Sequence, residues 1–241
     1  MACYVIADLH LDATRPELSA ALERWVAGLA AGDELYIIGD LFNFFVGLDP
    51  QDGAQQAVAR IMGAARTRGL ACYFIHGNRD FLVNQREAAA LGLTLLPDLY
   101  YLERYGYKLL LTHGDIFCSN DLKYQAYQRK VNNKCLQWLF RRLPLARRRA
   151  IGAQIRRRSA QENQIRRDSA IYGVVPATVG TYCVGHEPLT VVHGHIHVLG
   201  QHYDAVPGLA ARYVLGAWGH ELSYFQLDES GPRLKTQALS Q

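Results

Sequence analysis

Five apolar runs in this chain break into the same small set of polar residues. "CYVIADLHL" carries Asp8-Leu9-His10 at its end, "ELYIIGDLF" carries Gly39-Asp40, and "LACYFIHGNRD" carries Gly77-Asn78-Arg79-Asp80. "YKLLLTHGD" closes on His113-Gly114-Asp115, and "LTVVHGHIH" on His193-Gly194-His195-Ile196-His197. Each run is short, rich in β-branched and aromatic residues, and reads as a buried strand. In open α/β sheets, functional groups gather where the carboxyl ends of strands meet. A chain that delivers Asp, His or Asn at five strand ends is therefore constrained to a fold in which those ends share one edge. Four of the five ends place a glycine beside the polar residue, which lets the backbone turn tightly and another group approach.

Between the strands, "PELSAALERWVAGLAAG" and "GAQQAVARIMGAARTRG" have helical spacing, with Gly32 and Gly69 expected just past their C-termini. "ARYVLGAW" and "LSYFQLD" predict further strands near the end of the chain. This alternation predicts an α/β protein. From Asp121 to Ser169 the strand signal disappears, and the segment is helical in pattern and strongly basic: "RRLPLARRRAIGAQIRRRSAQENQIRRDS". The expected organisation is a core of residues 1–120 and 170–241, with residues 121–169 inserted as a helical cap. A length of 241 residues suits one domain carrying such an insertion.

Five widely spaced cysteines without a C-x-x-C pair argue against a disulfide framework and against a thiolate zinc site. "MACYVIADLHL" does not read as a secretory signal, and no run approaches the roughly 18 apolar residues of a membrane span. The expected location is cytoplasmic, with room for contact with a membrane surface.

Carboxylates, imidazoles and one amide, without thiolates, suit hard or borderline divalent ions. A carboxylate shared by two metals is a common device in phosphoryl chemistry. Asp8 and His10, like His195 and His197, stand two residues apart. In an extended segment, both members of each pair are expected on the same side. Taken singly, Gly-Asp and Gly-Asn are ordinary turn pairs and Asp-x-His is a weak signal. The ordered set is what points to a metal centre.

That ordered set, spanning residues 5 to 197, resembles the calcineurin-like metallophosphoesterases. The resemblance implies a β-sandwich flanked by helices, with a dinuclear metal site at one edge. It implies that Asp8, His10 and His197 hold one metal, that Asn78, His113 and His195 hold the other, and that Asp40 bridges them. The expected ions are two divalent cations, foremost Mn²⁺. His193 is then either a residue that supports the metal ligands from behind or a structural one. Where many members carry a histidine after Gly-Asn, this chain has Arg79, which grips phosphate but cannot serve as a general acid near neutral pH.

"HGNRDFL", "LLPD", "THGDIFCSND" and the helical insertion resemble a branch of the family that cleaves a nucleotide-activated glycolipid at the cytoplasmic face of the inner membrane. That resemblance implies catalytic roles for Asn78, Arg79 and His195, and adds Asp121, Ser159, Asn163 and Arg166 as substrate contacts. Ser159, Asn163 and Arg166 share one helical face by spacing. Leu136, Trp138, Leu139, Phe140, Leu143, Leu145, Ile151 and Ile155 give the insertion an apolar face for acyl chains, and its arginines suit an anionic membrane surface. No aromatic stacking stripe accompanies them, so nucleic acid is the less expected partner, and no obligate protein partner is indicated. Two stretches depart from that branch: Phe42-Asn43-Phe44-Phe45-Val46-Gly47, where an acid and a tryptophan are usual, and Val198-Leu199, where Arg-Pro is usual. Two other readings remain: a phosphodiesterase or nucleotide pyrophosphatase for a soluble or related nucleotide-lipid substrate, and a metal-stabilised binding module.

Overall fold

Two mixed sheets lie face to face. A computed structural model describes residues 1–166, 173–219 and 221–239, with the side chains of 158 and 160–166 also outside the description. The first sheet contains β1 (Cys3–Ile6), β2 (Glu34–Ile38), β3 (Ala71–Ile75), β4 (Thr94–Leu95), β10 (Glu221–Asp228) and β11 (Gly231–Ala238), in the order β11-β10-β1-β2-β3-β4. The second contains β5 (Tyr100–Arg104), β6 (Tyr107–Leu111), β7 (Leu189–His193), β8 (Gly200–His202) and β9 (Leu209–Val214), in the order β5-β6-β7-β9-β8. β1, β2 and β3 run parallel, and so do β6, β7 and β9. The five strands whose ends carry the polar residues therefore point the same way within each sheet.

Side-chain alternation builds the layers. In β2, Tyr36 and Ile38 enter the core between the sheets, whereas Leu35 and Ile37 face outward. Leu109, Leu111, Val192, Tyr213 and Phe225 complete the inner core. The outer face of the first sheet is covered by α1 (Pro16–Ala27), α2 (Gly53–Thr67) and α3 (Gln85–Ala90). Leu18, Leu22, Trp25, Val58, Ile61 and Met62 supply the contact. The outer face of the second sheet meets Phe117 and the Val179 and Cys183 side chains of α7 (Pro176–Cys183). This four-layer arrangement is the β-sandwich flanked by helices that was expected.

Some boundaries differ from the sequence reading. The first helix stops at Ala27 with Gly28 as its cap, four residues before Gly32, although the buried apolar pattern runs on to Leu29. α2 ends as expected, with Arg68 as cap and Gly69 next at φ 93°. β4, β5, β8, β11, α3 and α7 were not foreseen; most are short or lie at sheet edges, where alternation is weakest. Cys3, Cys72, Cys118 and Cys183 are buried as free thiols and Cys135 is exposed.

Between β6 and β7 the chain forms α4 (Leu122–Val131), α5 (Lys134–Arg141) and α6 (Leu145–Arg166). Arginines tie this helical segment to core loops. Arg141 pairs with Glu87 at 3.0 Å and donates to the Leu82 carbonyl. Arg148 donates to the Val46 carbonyl, Arg149 pairs with Asp49, and Arg156 donates to Asn43 at 2.7 Å. Part of the basic character is thus spent on docking to the core rather than on an outer face. α5 has no fully buried side chain; Phe140 packs against the core, whereas Leu136, Trp138 and Leu139 are each more than half exposed. Among the described residues no helix is long and apolar enough to cross a membrane.

Candidate metal centre

The loops after β1, β2, β3, β6 and β7 bring their polar residues into one cluster. His10 and His197 approach through their Nε2 atoms at 3.2 Å, and the same His197 nitrogen lies 3.2 Å from Asp8 Oδ1. His10 Nε2 stands 4.0 Å from that oxygen. On the other side, Asn78 Oδ1 lies 2.9 Å from His113 Nε2 and 3.3 Å from His195 Nδ1. Those two ring nitrogens are 3.3 Å apart. Asp40 sits between the groups, with Oδ2 3.8 Å from His10 Nδ1 and Oδ1 3.7 Å from His113 Nε2.

The backbone explains how these side chains converge, and it corrects the extended-segment reading. Six described non-glycine residues have positive φ: Asp8 at 56°, His10 at 50°, Asp40 at 51°, His195 at 69°, His197 at 56° and, in the β5–β6 turn, Tyr105 at 54°. Asp8 and His10 lie beyond β1, and His195 and His197 lie beyond β7. They converge because each loop turns through the left-handed region, not because a strand alternates. Such backbone costs about 1–3 kcal/mol per residue and persists where its surroundings over-determine it. Here they do: the His195 amide donates to Asp8 Oδ2 at 2.9 Å, and the Gly194 amide to the His113 carbonyl at 3.0 Å. Any side chain at Gly194 would collide with the Asp8 carboxylate.

Burial and mutual charge set the electrostatics of the cluster. Burial raises the Asp8 carboxyl, but the His197 hydrogen bond and the charges of His113, His197 and His10 carry it well below the usual carboxylate range. Burial pushes Asp40 up to about 7 against the pull of His113 and Arg79. Asp40 and Asp8 raise His113 to about 9 against its burial. Burial and the His113 charge hold His195 down to about 4.

A metal fits this donor set. His10 Nδ1 is buried without a hydrogen-bond partner, and ring nitrogens, carboxylate oxygens and the Asn78 amide oxygen converge where a cation could take them as ligands. Two groups bring ligand atoms within 4.8 Å of one another: Asp8, His10 and His197, and Asp8, Asp40 and His113.

Arg79 lies beside this cluster, its Nε 3.0 Å from Asp40 Oδ2 and its amide 3.0 Å from Asp40 Oδ1. Asp121 caps α4 by accepting from the Tyr124 amide at 2.9 Å. Ser159 is half-buried on α6. The side chains of Asn163 and Arg166 lie outside those described.

The sequence reading gave no role to three residues of the site. Asp80, fully buried, accepts from the amides of Gly77 at 2.8 Å and Leu41 at 2.7 Å, stapling the second and third loops together. Asn43 accepts from Arg79 at 3.1 Å and from Arg156 at 2.7 Å, and donates to Asp12 at 3.0 Å. Its departure from the usual acid was the available signal. Tyr124 lays its ring against His195, centroids 5.4 Å apart, with its hydroxyl on Asp115 at 3.1 Å; nothing in the local sequence marks it.

A two-sheet sandwich with carboxylates, imidazoles and an amide converging at one edge is the arrangement of a metal-dependent phosphoesterase. The family described as Calcineurin-like phosphoesterase matches residues 1–199, and the chain belongs to that family. It is a hydrolase of a class that works with divalent metals. Its relatives narrow the comparison. The UDP-2,3-diacylglucosamine hydrolase of Aeromonas hydrophila is 41% identical over 241 residues, covering 99% of this chain and 100% of the relative. The hydrolases of the same description from Serratia proteamaculans and Escherichia coli are each 42% identical. The alignments cover 95% of this chain and 96% of the Serratia protein, and 92% of both chains for the Escherichia coli protein.

Proposed function

We propose that this protein hydrolyses the pyrophosphate bond of UDP-2,3-diacylglucosamine, giving UMP and 2,3-diacylglucosamine 1-phosphate in lipid A biosynthesis. The observation that carries the reading is the near-full-length identity to hydrolases of that description, joined to an intact set of ligand-type residues.

Asp8, His10 and His197 would hold one divalent ion, Asn78, His113 and His195 the other, and Asp40 both. Donors of this character suit Mn²⁺, Fe²⁺, Zn²⁺ or Co²⁺ alike, and Mn²⁺ is the ion we assign from the family resemblance. When bound, the ions lower the pKa of water toward neutrality and stabilise charge on phosphoryl oxygens. The protein's own residues do the rest. Arg79 offers a guanidinium to the phosphoryl oxygens while Asp40 and Asn43 orient it. Asn78 and His195 contact the same group. No side chain is needed as a strong acid, because the departing group is already a phosphate monoester.

Residues 121–169 serve as a cap on the core of residues 1–120 and 170–241. Asp121, Ser159, Asn163 and Arg166 contact the glycolipid, and the apolar face takes up acyl chains. The cap rests on the cytoplasmic face of the inner membrane through exposed Leu136, Trp138 and Leu139 and the neighbouring arginines. Hydrolysis in ¹⁸O-labelled water tests the bond cleaved: label is expected in UMP, and label in the lipid phosphate would overturn the assignment.

A further inference from the structure

His193 is fully buried and has no place in either ligand group, yet its surroundings are fully specified. Its Nδ1 lies 2.9 Å from the Gly194 carbonyl and its Nε2 lies 3.2 Å from Arg212 Nη1. A guanidinium has donors and no acceptor, so His193 Nε2 must be bare. The ring proton then sits on Nδ1 and is donated to the Gly194 carbonyl. Arg212, on β9 and 5% exposed, is itself fixed by Asp204: Nε to Oδ2 at 2.6 Å and Nη2 to Oδ1 at 3.3 Å. That two-point grip sets the guanidinium plane and aims Nη1 at the imidazole. The neighbouring β6 loop leaves room for the ring. A Cβ at Gly114 would stand 2.6 Å from His193 Nδ1, and Gly114 has φ 102°, open to glycine.

The Gly194 carbonyl also accepts from the Ile196 amide at 2.9 Å. The peptide that begins the turn toward His195 and His197 is therefore held at both its amide and its carbonyl. We propose that Arg212 is a positioning residue: it locks His193 in the Nδ1–H form and, through the Gly194 carbonyl, holds the turn that presents His195 and His197. This rests on the reading of those two histidines as metal ligands.

The test is ¹⁵N–¹H correlation of histidine-labelled, metal-free protein, followed by calorimetric titration with Mn²⁺. In the wild type, His193 is expected to carry its proton on Nδ1. Arg212→Met combined with Asp204→Asn removes both charges together, so no buried carboxylate is stranded. It is expected to lose the single tautomer and to bind Mn²⁺ about 10- to 100-fold more weakly. Arg212→Lys, which keeps a donor, is expected to restore the Nδ1–H form. A wild-type proton on Nε2, or unchanged Mn²⁺ affinity in the folded double variant, overturns the proposal. Should the double variant not fold, the wild-type tautomer and the Lys variant decide. A wild type with the expected tautomer that binds no Mn²⁺ would instead overturn the metal reading.

Discussion

His10 and His197, 187 residues apart in the chain, bring their Nε2 atoms to 3.2 Å beside the Asp8 carboxylate. One divalent cation could take both ring nitrogens and the carboxylate as ligands. His10→Ala is therefore expected to cut turnover by about a hundredfold or more, since loss of a supporting residue alone often costs 10–100-fold. Metal content should fall with it while circular dichroism stays native. Near-normal turnover in a fully metallated variant would contradict the assignment.

Proton release should accompany metal binding. Burial pushes Asp40 up to about 7, and the Asp40 and Asp8 charges raise His113 to about 9 against its burial, so the metal-free Asp40–His113 pair shares a proton at neutral pH that ligation displaces. Metal affinity should weaken as pH falls, by up to about tenfold per unit for each proton displaced. For Asp40, the folded state keeps a proton that the unfolded chain gives up near 3.8. Its contribution to stability is thus full below 3.8 and is lost as pH rises through about 7. Calorimetry in buffers of different ionisation enthalpy reads the proton count; a value of zero at pH 7 would contradict this.

Asp80 should matter to stability more than to chemistry. Asp80→Ala strands the buried amides of Gly77 and Leu41, at about 1–3 kcal/mol each. At this chain length each kcal/mol lowers Tm by roughly 2–4 °C. A melting point unchanged in the metal-free variant would show that the staple is dispensable.

Asn43→Leu removes the acceptor shared by Arg79 and Arg156. Hydrogen bonds to charged groups contribute about 1.5–3 kcal/mol, so KM should rise about tenfold or more with a smaller change in kcat. Steady-state kinetics on the diacylated nucleotide sugar separate the two. A fall in kcat with unchanged KM would place Asn43 elsewhere in the reaction.

The strand ends were legible because apolar runs broken by Asp, His and Asn leave a local signal, and the α/β class followed from strands alternating with helices; the two-sheet arrangement was expected only from the family resemblance. The left-handed turns at Asp8, His10, Asp40, His195 and His197 were not legible, since no glycine marks those positions. The partners of the cap arginines were equally hidden. Arg148 and Arg156 look like any solvated basic residues until the fold sets Val46 and Asn43 against them. Edge strands such as β8, three residues long, carry too little pattern to read.

The most direct test of the function is release of UMP from UDP-2,3-diacylglucosamine in detergent, with and without Mn²⁺, beside the same assay on UDP-N-acetylglucosamine, which lacks the acyl chains. Mn²⁺-dependent cleavage confined to the acylated substrate is the expected result. Cleavage of both substrates, or of neither while soluble phosphodiesters are hydrolysed, would contradict the glycolipid assignment and leave the metal centre serving a different phosphoester.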